Sequence, residues 1–205
     1  MQFKQAVIAQ TNITLVYESL STSTIDLNRL RKELVGGLSP VITEIPDNAI
    51  ALMYPQLQIG CMIGNNRVQV NDGSQEPVGS RPISAVVHAA HNIIGSKLIA
   101  FGFNYEVLAV FDQDDLPASF KARFLCNPED LEARLGGTIH NVGLRLNYRR
   151  ESVACQLVLE PVEISKLRAH LNVHFESVNQ LPEANQLNAS FQQEFDNFMQ
   201  VLKAL

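Results

Sequence analysis

Two stretches of this chain place hydrogen-bonding and ionisable side chains at every second position. Arg145, Asn147 and Arg149 alternate with Leu144, Leu146 and Tyr148, and Arg168, His170, Asn172, His174 and Glu176 alternate with Ala169, Leu171, Val173 and Phe175. A period of two sends alternate side chains to opposite faces of a β-strand. If the two strands are neighbours, one sheet surface carries Arg, Asn, His and Glu together, able to hold an anion or a polar peptide. Arg145, Asn147, Arg149, Arg168, His170, Asn172 and His174 are therefore the candidate binding residues. The wet face of any antiparallel sheet shows the same alternation, so the set rests on chemistry and not on a motif.

The two histidines also test for a metal. Ile164, Leu167, Leu171, Phe175 and Val178 fit a helical period as well, and on a helix His170 and His174, four apart, would face the same way as metal ligands must. On a strand they lie roughly 13 Å apart and cannot share one ion. Val173 interrupts the helical stripe, so a strand without a metal is expected over 164–178.

A second feature is the missing charge on a helix expected over 82–94. Ile83, Val86, Val87, Ala90 and Ile94 form its apolar stripe, yet no Asp, Glu, Lys or Arg occurs between Arg81 and Lys97. A solvated helix face usually carries charge, whereas small uncharged residues permit close packing of another surface. Ala85, His88, Ala89 and Asn92 are the candidate interface residues, and self-association is expected.

Catalytic candidates are weaker. Asp112, Asp114 and Asp115 follow an apolar strand, where carboxylates can hold a divalent ion, and Glu106 could join them. His170 and His174 with Arg145 are the other combination. Three acids in four residues also make an ordinary approach to a helix, and no GxGxxG, GxxxxGK[ST], GxSxG or HExxH pattern occurs. The expectation is a binding or assembly protein without a cofactor that self-associates or holds a protein or peptide. The alternatives are an enzyme, or a small-ligand-binding protein using the polar sheet face, the Asp112 to Asp115 loop or a pocket under the C-terminal helix.

Composition narrows the partner. The 205 residues include 16 Lys+Arg against 21 Asp+Glu, for a formal net charge of -5. Neutralising phosphates needs the opposite balance, which argues against nucleic acid. The first ten residues lack the basic and apolar regions of a signal peptide, and Pro55, Gln56, Gln58 and Gly60 interrupt the 19-residue uncharged stretch from Asn48 to Asn66. No membrane span and a cytoplasmic location are expected. Cys61, Cys126 and Cys155 are odd in number and far apart, which reads as free thiols.

These residues need elements to hold them. The pattern predicts strands over 3–18, 49–54, 56–63, 67–71, 98–111, 142–148 and 152–160, and helices over 24–35, 82–94, 117–125, from 127 to Leu135, and 187–205. Leu27, Leu30 and Leu34 line the first helix, and Leu187, Phe191, Phe195, Phe198 and Leu202 the last. Gly36-Gly37 and Gly136-Gly137 stop a helix in each half. Both halves, 1–96 and 97–205, then read as a βαβββα unit, giving an α+β protein with a largely antiparallel curved sheet and helices on one face. This layout resembles the TATA-binding protein fold in architecture only. The basic underside and Phe wedges of such a DNA reader are not in the sequence, so the resemblance implies a fold and not that activity.

Overall fold

The computed structural model describes residues 1–32, 35–45 and 48–205. Nine strands form one open antiparallel sheet: β1 (Gln2–Tyr17), β2 (Val41–Ile45), β3 (Ala49–Tyr54), β4 (Ile59–Gly64), β5 (Arg67–Asp72), β6 (Leu98–Asp112), β7 (Leu144–Arg150), β8 (Val153–Glu163) and β9 (Lys166–Glu176). Their order is β2-β3-β4-β5-β1-β6-β9-β8-β7. Among the described residues five helices accompany them, α1 (Leu27–Lys32), α2 (Ile83–His91), α3 (Leu116–Phe124), α4 (Pro128–Leu135) and α5 (Ala184–Lys203). The class is α+β.

The two longest strands, β1 and β6, pair at the centre from Gln2 opposite Asp112 to Tyr17 opposite Leu98. Their period-two pattern sends Ile13, Leu15 and Tyr17, with Phe101, Phe103, Tyr105, Val107, Ala109 and Phe111, to one buried face. There α5 lays down Leu187, Phe191, Phe198 and Leu202. The Phe191 ring centre lies 4.9 Å from that of Tyr105 and 5.2 Å from that of Phe103, and the Tyr105 hydroxyl donates to the Phe191 carbonyl at 2.7 Å. Aromatic contacts of this kind add about 0.5–1.5 kcal/mol each to what burial supplies. Ile83, Val86, Val87 and Ala90 of α2 and Leu116 and Phe120 of α3 join the same core.

The halves are less alike than a shared βαβββα order. The first has four strands between its helices because the short edge strand β2 precedes β3, and the second has two helices, α3 and α4, between β6 and β7. Strand β2 has only five residues and carries apolar side chains at both parities, so it lacks the alternation that marks a strand. Helix α1 is shorter than 24–35: a 3-10 turn occupies Thr22–Thr24, and the Asp26 carboxylate accepts from the Asn28 and Arg29 amides to start the helix at Leu27. Leu34, expected on its apolar face, lies outside the described residues. Gly36 and Gly37, at φ 60° and 77°, turn the chain so that Val35 bridges Leu38, and Gly136 at φ 64° ends α4; β-carbons disfavour all three conformations.

Residues 166–176 form strand β9 and not a helix. The hairpin between β4 and β5 turns on Asn65 and Asn66, at φ 51° and 59°, while Gly64 stays in β4. Two central residues with positive φ suit a tight hairpin, and Asn tolerates that region.

Candidate functional site

Among the described residues the face of the sheet opposite the core carries half-buried and exposed side chains, and cross-strand register sets what it displays. Asn147 pairs with Gln156, Gln156 with Asn172, Asn172 with Asn104, Asn104 with Asn12, and Asn12 with Asn71. Six primary amides thus stand in one row across β7, β8, β9, β6, β1 and β5. Neighbouring strands are about 4.8 Å apart, so the row is roughly 24 Å long and adjacent amides can reach each other. Asn104 Nδ2 donates to Asn12 Oδ1 at 2.7 Å, Asn172 Nδ2 donates to Asn104 Oδ1, and Gln156 Nε2 donates to Asn147 Oδ1 at 2.9 Å. Gln10 and Gln69 both donate to Asn71 Oδ1 at 2.9 Å. Each amide has two N–H donors and two acceptor lone pairs, so these bonds leave capacity directed to solvent.

Asn is depleted in strands, and nothing about the core requires it on this face. The row continues past Asn71 to Gly60, Met53 and Val41. Polar and apolar halves therefore share one line. Val41 is 57% exposed, Met53 46% and Met62 42%, so the second half is an accessible apolar patch.

All seven sequence-derived binding residues lie on this open face, but in a different grid from the one expected. Strands β7 and β9 are not neighbours, since β8 runs between them. His170 lies in row with Val158 and Arg145, Asn172 with Gln156 and Asn147, and His174 with Ala154 and Arg149. Matched residues are therefore about 10 Å apart. Arg168 sits opposite Glu160 and reaches it at 3.6 Å, with Glu106 at 3.9 Å, while Arg149 pairs with Glu176 at 2.8 Å. Among the described residues Arg67 and Arg145 have no ion pair. Burial holds the His170 imidazole below its ordinary pKa, with Glu106 opposing the shift, which favours a neutral ring in the grid. A depression of about 380 Å³ lies over the centre of the row, bordered by Asn12, Arg67, Asn104, Asn172 and His174. Gly102 forms part of its floor; a β-carbon there would come within 3.0 Å of the Val173 carbonyl.

The candidate interface on α2 is divided. His88 Nε2 donates to the Pro182 carbonyl at 2.8 Å, and Ser84 Oγ donates to Asn188 of α5 at 3.5 Å. One side of the uncharged stripe is thus covered by this chain's own C-terminal segment. Ala85 and Asn92 are exposed and Ala89 is half-buried.

The catalytic candidates do not converge. Asp115 Oδ1 accepts from the Ala118 amide at 2.9 Å and caps α3, while Asp112 pairs with Lys4 at 3.0 Å. Glu106 lies six residues before Asp112 on β6, about 20 Å away along the strand. Among the described residues no group of three or more His, Cys, Asp or Glu side chains could hold a metal ion. A mostly apolar pocket of about 390 Å³ does lie between the sheet and α5, lined by Leu146, Tyr148, Leu157, Phe198 and Val201.

The amides of Asn12, Asn71, Asn104 and Gln156 escape sequence reasoning because only register aligns them. The weak signal available is an amide at the polar parity in several strands. Compared with protein-family models and with curated proteins, the chain matches none. Among the described residues no helix is long and apolar enough to cross a membrane.

Proposed function

We propose that this protein is a non-catalytic binding protein that holds a polypeptide partner across the open face of its sheet. One observation carries the reading: a single cross-strand row runs from six amides into Gly60, Met53 and Val41. Amides match the donor and acceptor pattern of a peptide backbone and of polar side chains, and methionine adapts to varied apolar shapes. A polypeptide offers both kinds of group. Duplex nucleic acid fits less well, since Glu106, Glu160 and Glu176 offset Arg149 and Arg168 of this face, which leaves few of the uncompensated cations that phosphate contacts need.

The same reading takes residues 1–96 and 97–205 as duplicated halves of one pseudo-twofold domain, similar in layout to the TATA-binding protein fold. What supports it is the strand order, in which each half begins in the central β1 and β6 pair, crosses to an outer edge at β2 or β7, returns inward strand by strand and ends in a helix. Self-association of a cytoplasmic chain through the uncovered side of α2, at Ala85, Ala89 and Asn92, belongs to the proposal as well. The exposed position of uncharged Ala85 and Asn92 favours it.

Selection from a displayed library of random peptides about twelve residues long, enough to cross the face at about 3.3 Å per residue, tests the central reading. Peptides enriched on the wild type should be lost on an Asn104→Ala, Asn172→Ala variant. No enrichment, or enrichment indifferent to both changes, would overturn it.

A further inference from the structure

The two margins of the sheet differ. Counting outward from the central pair, β1 is followed by four strands and β6 by only three, so the side ending in β7 is one strand short. Among the described residues strand β7 pairs with β8 alone, and six of its seven residues are exposed. A strand with one unpaired edge presents a line of free backbone donors and acceptors. Leu146 is 44% exposed, Tyr148 40%, and Val201 of the facing helix α5 43%, and these side chains border the apolar groove under α5. On the other face of the same strand stand Arg145 and Arg149, with Asn147 between them.

We propose that β7 receives an extended acidic segment of another polypeptide as a tenth strand. The inference rests on the reading of this chain as a holder of polypeptide but assigns a different surface from the amide row. Charge selects the occupant. A second copy paired antiparallel about Asn147 would set Arg145 opposite Arg149 of its twin, and like charges directly opposite destabilise a strand pair. The arginines thus guard the edge against self-pairing, as charged edges commonly do, while leaving it open to carboxylates. Alternation then fixes the pattern. Residues opposite Arg145 and Arg149 are acidic, and those opposite Leu146 and Tyr148 are apolar and enter the groove. Arg145 has no ion pair among the described residues, so it meets an incoming carboxylate without exchanging a partner.

The probe is a fluorescein-labelled peptide with a Glu-Val-Thr-Val-Glu centre, compared with one in which lysines replace the glutamates, by fluorescence anisotropy on the full chain. The acidic peptide should bind at least about tenfold more tightly than the lysine peptide, and Arg145→Glu should remove that preference. Arg145 is exposed and unpaired, so the variant keeps its fold, checked by circular dichroism. A second readout is amide hydrogen exchange, which should slow along 144–150 when the acidic peptide is added. No binding at about 1 mM, equal binding of both peptides, or indifference to Arg145→Glu would overturn the proposal. Binding lost on Asn104→Ala and kept on Arg145→Glu would overturn it while leaving the open-face reading intact. A wild-type dimer that Arg145→Glu dissociates would overturn it in favour of a second copy.

Discussion

Replacing Arg81 by methionine should destabilise the protein by about 3–5 kcal/mol, the usual cost of removing one partner from a buried ion pair. The side chains of Arg81 and Asp72 are both fully buried, with Arg81 Nε 3.9 Å from Asp72 Oδ2. Arg81 Nε donates to the Glu76 carbonyl at 2.6 Å and Nη1 to Thr11 Oγ1 at 3.1 Å, while the Ser74 amide donates to Asp72 Oδ1 at 2.7 Å. Asp72 Oδ2 and Arg81 Nη2 have no hydrogen-bond partner, so at those atoms charge alone compensates the loss of water. Arg81→Met strands the carboxylate in the core. For a chain of this size each kcal/mol lowers Tm by about 2–4 °C, giving a fall of roughly 6–20 °C. The double variant Asp72→Leu, Arg81→Met should recover part of the loss, because it removes the stranded charge but leaves the Ser74 amide without its acceptor and the Glu76 carbonyl and Thr11 hydroxyl without their donor, about 1 kcal/mol each. Thermal and urea unfolding of the single and double variants, followed by circular dichroism, close the cycle. An Arg81→Met protein within about 0.5 kcal/mol of wild type, or a double variant no more stable than it, would refute the reasoning.

Other consequences follow from single groups. Burial pushes the Cys61 thiol up to about 12 and Cys126 is exposed, so a disulfide-exchange reagent should label Cys126 promptly in the native protein and Cys61 only on unfolding; rapid native labelling of Cys61 would contradict its burial. Burial, and then the nearby His88, hold His91 below its ordinary 6.5. The unfolded chain therefore binds the proton first as pH falls, so this stability is fully present above about pH 6.5 and is lost as pH falls toward the depressed value. His91→Gln should flatten the pH dependence of unfolding in that window, and an unchanged slope would count against it. Sedimentation at tens of micromolar should show a dimer of the wild type that Ala85→Glu dissociates, since an unpaired charge in a buried contact is costly, whereas a monomeric wild type would remove α2 as an interface.

Most of the elements could be read from the sequence, because period and punctuation are local signals. The alternation of Phe101, Phe103 and Tyr105 marks β6, and the Phe191, Phe198 and Leu202 stripe marks α5. Strand β2 could not be read, since Val41, Ile42 and Ile45 place apolar groups on both faces of a short edge strand. The uncharged stripe of α2 was visible, but not that His88 spends its hydrogen bond on Pro182 of the same chain; a long-range contact leaves no local pattern. The candidate site was legible by face and not by neighbour. Period two puts Arg145, Asn147, Asn172 and His174 on one side, but the insertion of β8 between β7 and β9, and the alignment of Asn104 with Asn12 and Asn172, depend on pairing across as many as 92 residues.

The most direct test of the central claim is the NMR spectrum of the side-chain amides of Asn12, Asn104 and Asn172, recorded as a peptide selected on the wild type is added. These three NH2 pairs should shift and exchange more slowly with water as the peptide saturates, and the methyl signals of Met53 and Met62 should shift with them. Saturation with all of these signals unmoved, and the shifts confined to the helical side of the sheet, would contradict it.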